Sequence, residues 1–286
     1  MFDEMSIKKH LNYDCKADSI EGFQDHGVQG RSGLIASYAL VFMIAGIRKK
    51  IKQPLAHYFS SGFVTADRLA VIIKEVLHQC HEAGVNISAT VCDMDGVNRR
   101  ALSILGASME HPYITLQNKE IVSIYDTPHI ECSTDINSSL QTGRGSLTAA
   151  ATTTANVVAN MDKIFDCLNS ETSDLRRGKC HATNLTATSP HLIFFQKMKN
   201  FFSTLKFIGS PRKPPSLEGW IWTLNAVERV WRNLSKKYNV KGLATRRLQQ
   251  DALENLFGCI RGNCGSNTNP TCGQFVAGLK AAIISN

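Results

Sequence analysis

The 286-residue sequence has no long hydrophobic run. Its longest apolar stretch, the 14 residues LIASYALVFMIAGI from Leu34 to Ile47, ends at Arg48-Lys49-Lys50. A bilayer-spanning helix needs about 20 such residues, so this one reads as buried core. It is internal and lies behind a charged start, MFDEMSIKKH, so it is no signal peptide either. An intracellular chain with no membrane partner is expected. There is also no C-x-x-C pair. The cysteines at 15, 80, 92, 132, 167, 180, 259, 264 and 272 are odd in number and scattered. That pattern argues for reduced thiols and against a disulfide framework. Cys259, Cys264 and Cys272 match no common zinc spacing and have no histidine nearby, so they read as small buried side chains. No G-x-x-x-x-G-K-[ST] occurs, which excludes a P-loop, and there is no internal repeat or long low-complexity tract.

What is present is a basic chain able to build a core. Lys+Arg 32 against Asp+Glu 24 gives a net charge of +8, which suits a polyanionic partner, nucleic acid first and an anionic membrane second. Plain solubility charge is the competing reading. Hydrophobic residues at 43% rule out a disordered polymer. The length fits two domains or one large α/β domain.

The first third reads as strands: Phe2–Asp14, Ser19–Asp25, Ala39–Ile47 and Gln53–Phe59, with HGVQGRSG as a loop. Leu69, Ile72, Ile73, Val76, Leu77 and Cys80 then make one apolar stripe at helical period, with Thr65 as the expected cap and Gly84 as the stop. NISATVCD is a strand stopping on Asp93, VNRRALSILG a short helix, and IVSIYD a strand stopping on Asp126. This order is that of the ribonuclease H fold, with one strand-like segment in excess, read as a continuation of the third strand. The middle is mostly helical: Ala149–Ser170, Pro190–Ile208 and GWIWTLNAVERVWRNLSKKY. Two helices end the chain. One carries Leu248, Ala252, Leu253, Leu256, Phe257 and Ile260 on one face; the other starts at Asn269-Pro270, with Asn269 as its expected N-cap.

Three carboxylates stand out. Asp3 lies on the first strand, and Asp93 ends the strand after the crossover helix. In the ribonuclease H order these strands are neighbours, so the two acids would meet. Glu254 lies on the polar face of a late helix that would pack back over the sheet. Carboxylates held together suit a pair of Mg²⁺ ions, and two metals serve phosphodiester chemistry. Surface acids are the plain alternative, and Asp95 and Asp126 are rivals by position.

The segments FDEMSIKKHL, GFQDHG, TVCDMDGVN, IYDTPH, FDCLNS, TRRLQQDALENLFGCIRG and NPTCGQF resemble the P element transposases and the THAP-domain proteins derived from them. They keep the family's order across nearly the whole chain. The resemblance implies an α/β, ribonuclease H-like DDE/D core interrupted by a mostly α-helical GTP-binding domain. The expected division is 1–130 for the first part of the core, 131–240 for the insertion and 241–286 for the C-terminal helices. By motif, Asp3, Asp93 and Glu254 match the catalytic, metal-binding triad. Phe165, Asp166, Asn169 and Asp251 match positions that contact nucleotide. Ninety residues separate Asp3 from Asp93 and 161 separate Asp93 from Glu254, consistent with an insertion.

Three departures from the family are visible. The chain starts two residues before Asp3, without the zinc-binding N-terminal domain and coiled coil. The stretch after His129, IECSTDINSS, replaces a basic helix, so the insertion looks shortened. Asp95 stands where relatives carry a small or neutral residue. The implied function is a nuclear DNA transposase that cleaves and joins transposon ends, with two Mg²⁺ ions and GTP as cofactors. Its partners would be DNA and, in a full-length form, other copies of itself. Arg246, Arg247 and Arg261 are candidate phosphate contacts. The alternatives are a catalytically inactive truncated or domesticated relic that binds DNA or protein, and a stand-alone GTP-binding regulator.

Overall fold

A computed structural model describes residues 1–15, 18–128, 149–172, 180–205 and 213–285, with side chains from 156 onward in the segment that begins at 149. Cys132 and the stretch 130–139 singled out above lie outside the described residues. In chain order the strands are β1 (Phe2–Ser6), β2 (Asn12–Asp14), β3 (Ser19–Glu21), β4 (Phe23–Asp25), β5 (Arg31–Ile35), β6 (Tyr38–Ala45), β7 (Lys52–Ser60), β8 (Ala89–Cys92), β9 (Tyr113–Leu116) and β10 (Lys119–Tyr125). The helices are α1 (Ala66–Glu82), α2 (Gly96–Ile104), α3 (Ala149–Leu168), α4 (His191–Thr204), α5 (Pro215–Tyr238), α6 (Asp251–Asn263) and α7 (Cys272–Ile284).

The chain divides into two units. The first comprises Met1–Ala107, Ile114–Ile121 and Gln250–Asn286, and the second Ser108–Tyr113 and Val122–Gln249. In the first, β1, β6 and β7 are an antiparallel meander within a five-stranded sheet of order β1-β6-β7-β4-β5. A three-stranded sheet has the order β8-β10-β9. The continuous apolar run of β6 explains its place between β1 and β7: Ala39, Leu40, Val41, Phe42 and Met43 are all buried, as on a strand covered on both faces. Helix α1 buries the stripe read from the sequence.

On the other face, Met5, Ala39, Val41 and Met43 form one core with Leu253, Leu256, Phe257 and Ile260 of α6 and Phe275 and Leu279 of α7. The two helices approach closely at Gly278, where a Cβ would lie 2.9 Å from the Ile260 carbonyl oxygen.

Several expectations are corrected. Phe2–Asp14 is not one strand. β1 stops at Ser6, and Lys8 N donates to Pro270 O at 2.9 Å, so the chain leaves the sheet to meet the C-terminal segment. The excess strand is not a continuation of the third. It is the Ser19–Asp25 segment, split into β3 and β4. HGVQGRSG is only in part a loop, since Arg31–Ile35 returns as β5 beside β4, with Arg31 Nε 2.7 Å from Asp25 Oδ2. Four of the five β5 residues are exposed, so no hydrophobic pattern announced it. Thr65 stands at the start of α1 but makes no side-chain cap bond. Thr271, not Asn269, caps α7. Its Oγ1 accepts from Gln274 N at 3.3 Å, and Gln274 Oε1 accepts from Thr271 N at 3.0 Å, a reciprocal capping box.

The second unit packs α3, α4 and α5 around Ile164, Phe195, Met198, Phe202, Trp220 and Leu224, all buried. Trp222 Nε1 donates to Ser123 O at 2.8 Å and Thr223 Oγ1 to Tyr125 O at 3.2 Å, joining α5 to the end of β10. Among the described residues, no helix is long and apolar enough to cross a membrane, and the eight described cysteines are free thiols.

Replacing Thr271 by alanine removes one half of the capping box. The expected loss is about 1 kcal/mol of unfolding free energy by urea titration, with Thr271→Ser close to the parent.

Candidate active site: a carboxylate cleft

β1 lies at the edge of the larger sheet and β8 at the edge of the smaller, and the two strands are neighbours. Beside β1, where the chain leaves β8, opens a cleft of about 140 Å³. Asp3, from the middle of β1, and Asp93, the residue that follows β8, both line it, together with Glu4, Asp95 and Asn98. The cleft is therefore negatively charged, and its apolar walls include Phe2, Leu40, Val64 and Leu69.

Local bonds hold these acids in place. Asp3 Oδ1 accepts from Glu4 N at 2.7 Å. Asn98, a buried polar residue of α2, donates through Nδ2 to the Asp93 carboxylate and to Asp93 O at 3.3 Å. Asp95, the rival acid, is the N-cap of α2 and accepts from Asn98 N at 2.5 Å. Asp126, the other rival, is buried beyond β10 in the second unit. Glu4 records the electrostatic outcome. Burial first, then the charges of Asp95, Asp3 and Asp93, push its carboxyl up to about 7, against a backbone bond from Val64 N that pulls it down.

Glu254 occupies the first turn of α6 and is exposed; it does not line the cleft. Its helix is nevertheless fastened beside Asp3. Gln250, one turn before Glu254 and 1% exposed, donates through Nε2 to Phe2 O at 2.9 Å. Along β1, Asp3 shares the parity of Met5, whose face is the one covered by α6 and α7.

Carboxylate oxygens that line one cleft are the donor type that suits a hard divalent cation. Asp3 and Asp93 are the residues that fit one. Among the described residues, no group of three or more His, Cys, Asp or Glu side chains is close enough together to hold a metal ion.

The nucleotide candidates fall in both units. Phe165, Asp166 and Asn169 are half-buried at the C-terminal end of α3 in the second. Asp251 is in the first turn of α6 in the first. The end of α3 is closed by the TRRLQQ segment. Thr245 Oγ1 donates to Cys167 O at 2.7 Å, and Gln249 Nε2 donates to Leu168 O at 3.1 Å. Arg246 N donates to Ser170 O at 3.1 Å. Asn169 Oδ1 is buried without a hydrogen-bond partner, a polar atom suited to a ligand donor. Of the arginine candidates, Arg246 is exposed and 3.8 Å from Glu171 Oε2, while Arg247 and Arg261 are half-buried. Residue-type reasoning missed Asn98, Thr245, Gln249 and Gln250. Two adjacent glutamines before an amphipathic helix were the available signal.

With this geometry described, comparison with known proteins defines the class. Residues 1–106 match the TNP-like, RNase H N-terminal domain, and residues 247–280 match the TNP-like, RNase H C-terminal domain. The structure matches the Drosophila P element transposase strand transfer complex with a TM-score of 0.79 and 20% identity, over 100% of this chain and 76% of that one. That likeness shows the fold, which is ribonuclease H-like.

The Transposable element P transposase of Drosophila melanogaster is 21% identical over 99% of this chain and 44% of its own length. The chain thus spans less than half of that relative. The chain is thus similar to the P element transposases, in its two RNase H stretches and in these two relatives.

The Glu4 shift has a definite sign. A carboxyl raised in the folded state from 4.5 to about 7 adds stability that is complete below pH 4.5 and is lost as pH rises through 7. Urea midpoints at pH 5 and pH 8 are expected to fall more for the parent than for Glu4→Gln. In a separate test, Gln250→Leu removes the donor to Phe2 O. The expected cost is about 1–3 kcal/mol of unfolding free energy.

Proposed function

We propose that the chain is the catalytic portion of a P element-type DNA transposase. It cleaves transposon ends and joins them to target DNA in a Mg²⁺-dependent reaction, with GTP as cofactor. The observation that carries this reading is the shared cleft of Asp3 and Asp93, supplied by β1 and the end of β8, with the α6 N-terminus fastened to the residue before Asp3. Asp3 and Asp93 would hold the metal, with Glu254 contributing from α6. When bound, two such ions supply activation of a water or 3′-hydroxyl nucleophile and stabilise the leaving oxygen.

The chain's own residues do the positioning. Asn98 fixes the Asp93 carboxylate, and Gln250 sets α6 against β1. No side chain need become covalently attached, since both steps are direct displacements at phosphorus. The partner is DNA, to which the +8 charge is suited, and the working compartment would be the nucleus. In a full-length form the assembly would be a homo-oligomer. Phe165, Asp166, Asn169 and Asp251 would contact GTP, with the Asp carboxylates accepting from the guanine N–H groups.

The test is strand transfer by the chain of a pre-cut duplex into a supercoiled plasmid in Mg²⁺. The duplex carries a free 3′-hydroxyl and the repeats flanking the coding sequence. Joined products are expected for the parent. Asp93→Asn and Glu254→Gln are expected to lower them at least a hundredfold, and unchanged joining by both would refute the assignment. Titration with labelled GTP is expected to saturate and to weaken at least tenfold in Asp166→Asn. Absence of saturable binding by the parent would remove GTP from the reading.

A further inference from the structure

The carboxylate cleft has an aromatic lip. Phe63 is 67% exposed, although it sits in the core-forming part of the first unit. Its ring lies against Tyr38 with centroids 4.6 Å apart and planes at 32°, and both rings line the cleft that holds Asp3, Glu4, Asp93 and Asp95. Tyr38 has the strand parity of Leu40, which pairs with Glu4 across β1 and β6.

An exposed phenylalanine in a loose loop would mean little. This loop is held on both sides of Phe63, at Ser60, Ser61 and Gly62 before it and at Val64 after it. Ser60 O accepts from Ser37 N at 2.8 Å, and Ser61 N donates to Gln24 Oε1 at 3.1 Å. Gly62 N donates to Ser37 Oγ at 2.8 Å, and Val64 N donates to Glu4 Oε1 at 3.3 Å. Gly62 takes φ +85°, a left-handed turn that a side chain would strain. Phe63 is thus fixed between two anchored neighbours, and one anchor is an acid of the cleft itself. Its solvent-facing ring is preorganised, so ordering it on binding costs little.

We propose that Tyr38 and Phe63 form a stacking platform for an unpaired nucleobase at a DNA end, beside the phosphate presented to the carboxylates. This rests on the DNA-processing reading above and adds a feature of its substrate, a frayed or single-stranded terminal nucleotide. The chemistry favours a base over a phosphate at this spot, because the rings are neutral and flat and the adjoining wall is anionic. Aromatic side chains stack on any base, so the platform holds an end without reading its sequence.

The test measures binding of the whole chain to labelled duplexes by fluorescence anisotropy, in Ca²⁺ to prevent cleavage. One duplex is blunt, one has a short 3′ overhang, and one ends in an abasic nucleotide. Thermal midpoints of all variants confirm that they fold. The parent is expected to prefer the overhang over the blunt and abasic ends by about tenfold. Phe63→Ala is expected to lose that preference, and Phe63→Trp to keep it. The added indole emission of Phe63→Trp should be quenched by the overhang and not by the abasic end. If the parent binds DNA but Phe63→Ala keeps the same preference, or the indole ignores the base, the platform is wrong and the DNA reading stands. If the parent binds none of the duplexes, both fail. Self-association that Phe63→Ala abolishes, without any overhang preference, would assign the rings to a second copy and overturn the proposal.

Discussion

The bond from Gln250 Nε2 to Phe2 O joins residues 248 positions apart, and the first unit is organised around it. It fixes the start of α6 at the strand that carries Asp3. The apolar side chains of α6 and α7 then close over that face of the sheet with Met5, Val41 and Met43. Burying an amide side chain is worthwhile only when its donors are used. The placement of Gln250 therefore demands this one register of helix on strand.

The same arrangement creates the electrostatic problem of the cleft. β1 supplies Asp3 and the β8–α2 connection supplies Asp93 and Asp95, and burial first, then these charges, let Glu4 hold its proton to about pH 7. Two of the acids already have structural work, Asp95 as a helix cap and Glu4 as the acceptor for the Val64 amide. Asp3 and Asp93 are also hydrogen-bonded, to the Glu4 amide and to Asn98, and these bonds fix where both acids line the cleft. The aromatic lip shares the same elements, since the loop bearing Phe63 is anchored to Glu4. Cleft and lip would move together.

Much of the fold was legible because it rests on apolar periodicity. The α1 stripe from Leu69 to Cys80, the continuous run of β6 and the amphipathic α6 are all written as spacing. The edge strand β5 was not, because its residues face water and make no pattern. The α7 start was misread at Asn269, where local propensity matched but the reciprocal Thr271–Gln274 pair decided the boundary. In the cleft, Asp3 and Asp93 were picked out by strand position and by family motif. Their fasteners, Asn98 and Gln250, were invisible, since a buried amide is recognisable only with its distant partner in view. Spacing also gave no way to separate Asp95 and Asp126 from Asp93. One turned out to cap a helix, and the other to lie in the second unit.

On the proposed function, the Asp3–Asp93 cleft would take a divalent cation. Titration of the chain with Mn²⁺, with free ion read by electron paramagnetic resonance and Mg²⁺ as competitor, addresses this without any DNA. The account predicts saturable, Mg²⁺-displaceable binding by the parent and at least tenfold weaker binding by Asp93→Asn. Equal binding by the two proteins, or no saturable binding by the parent, would contradict it.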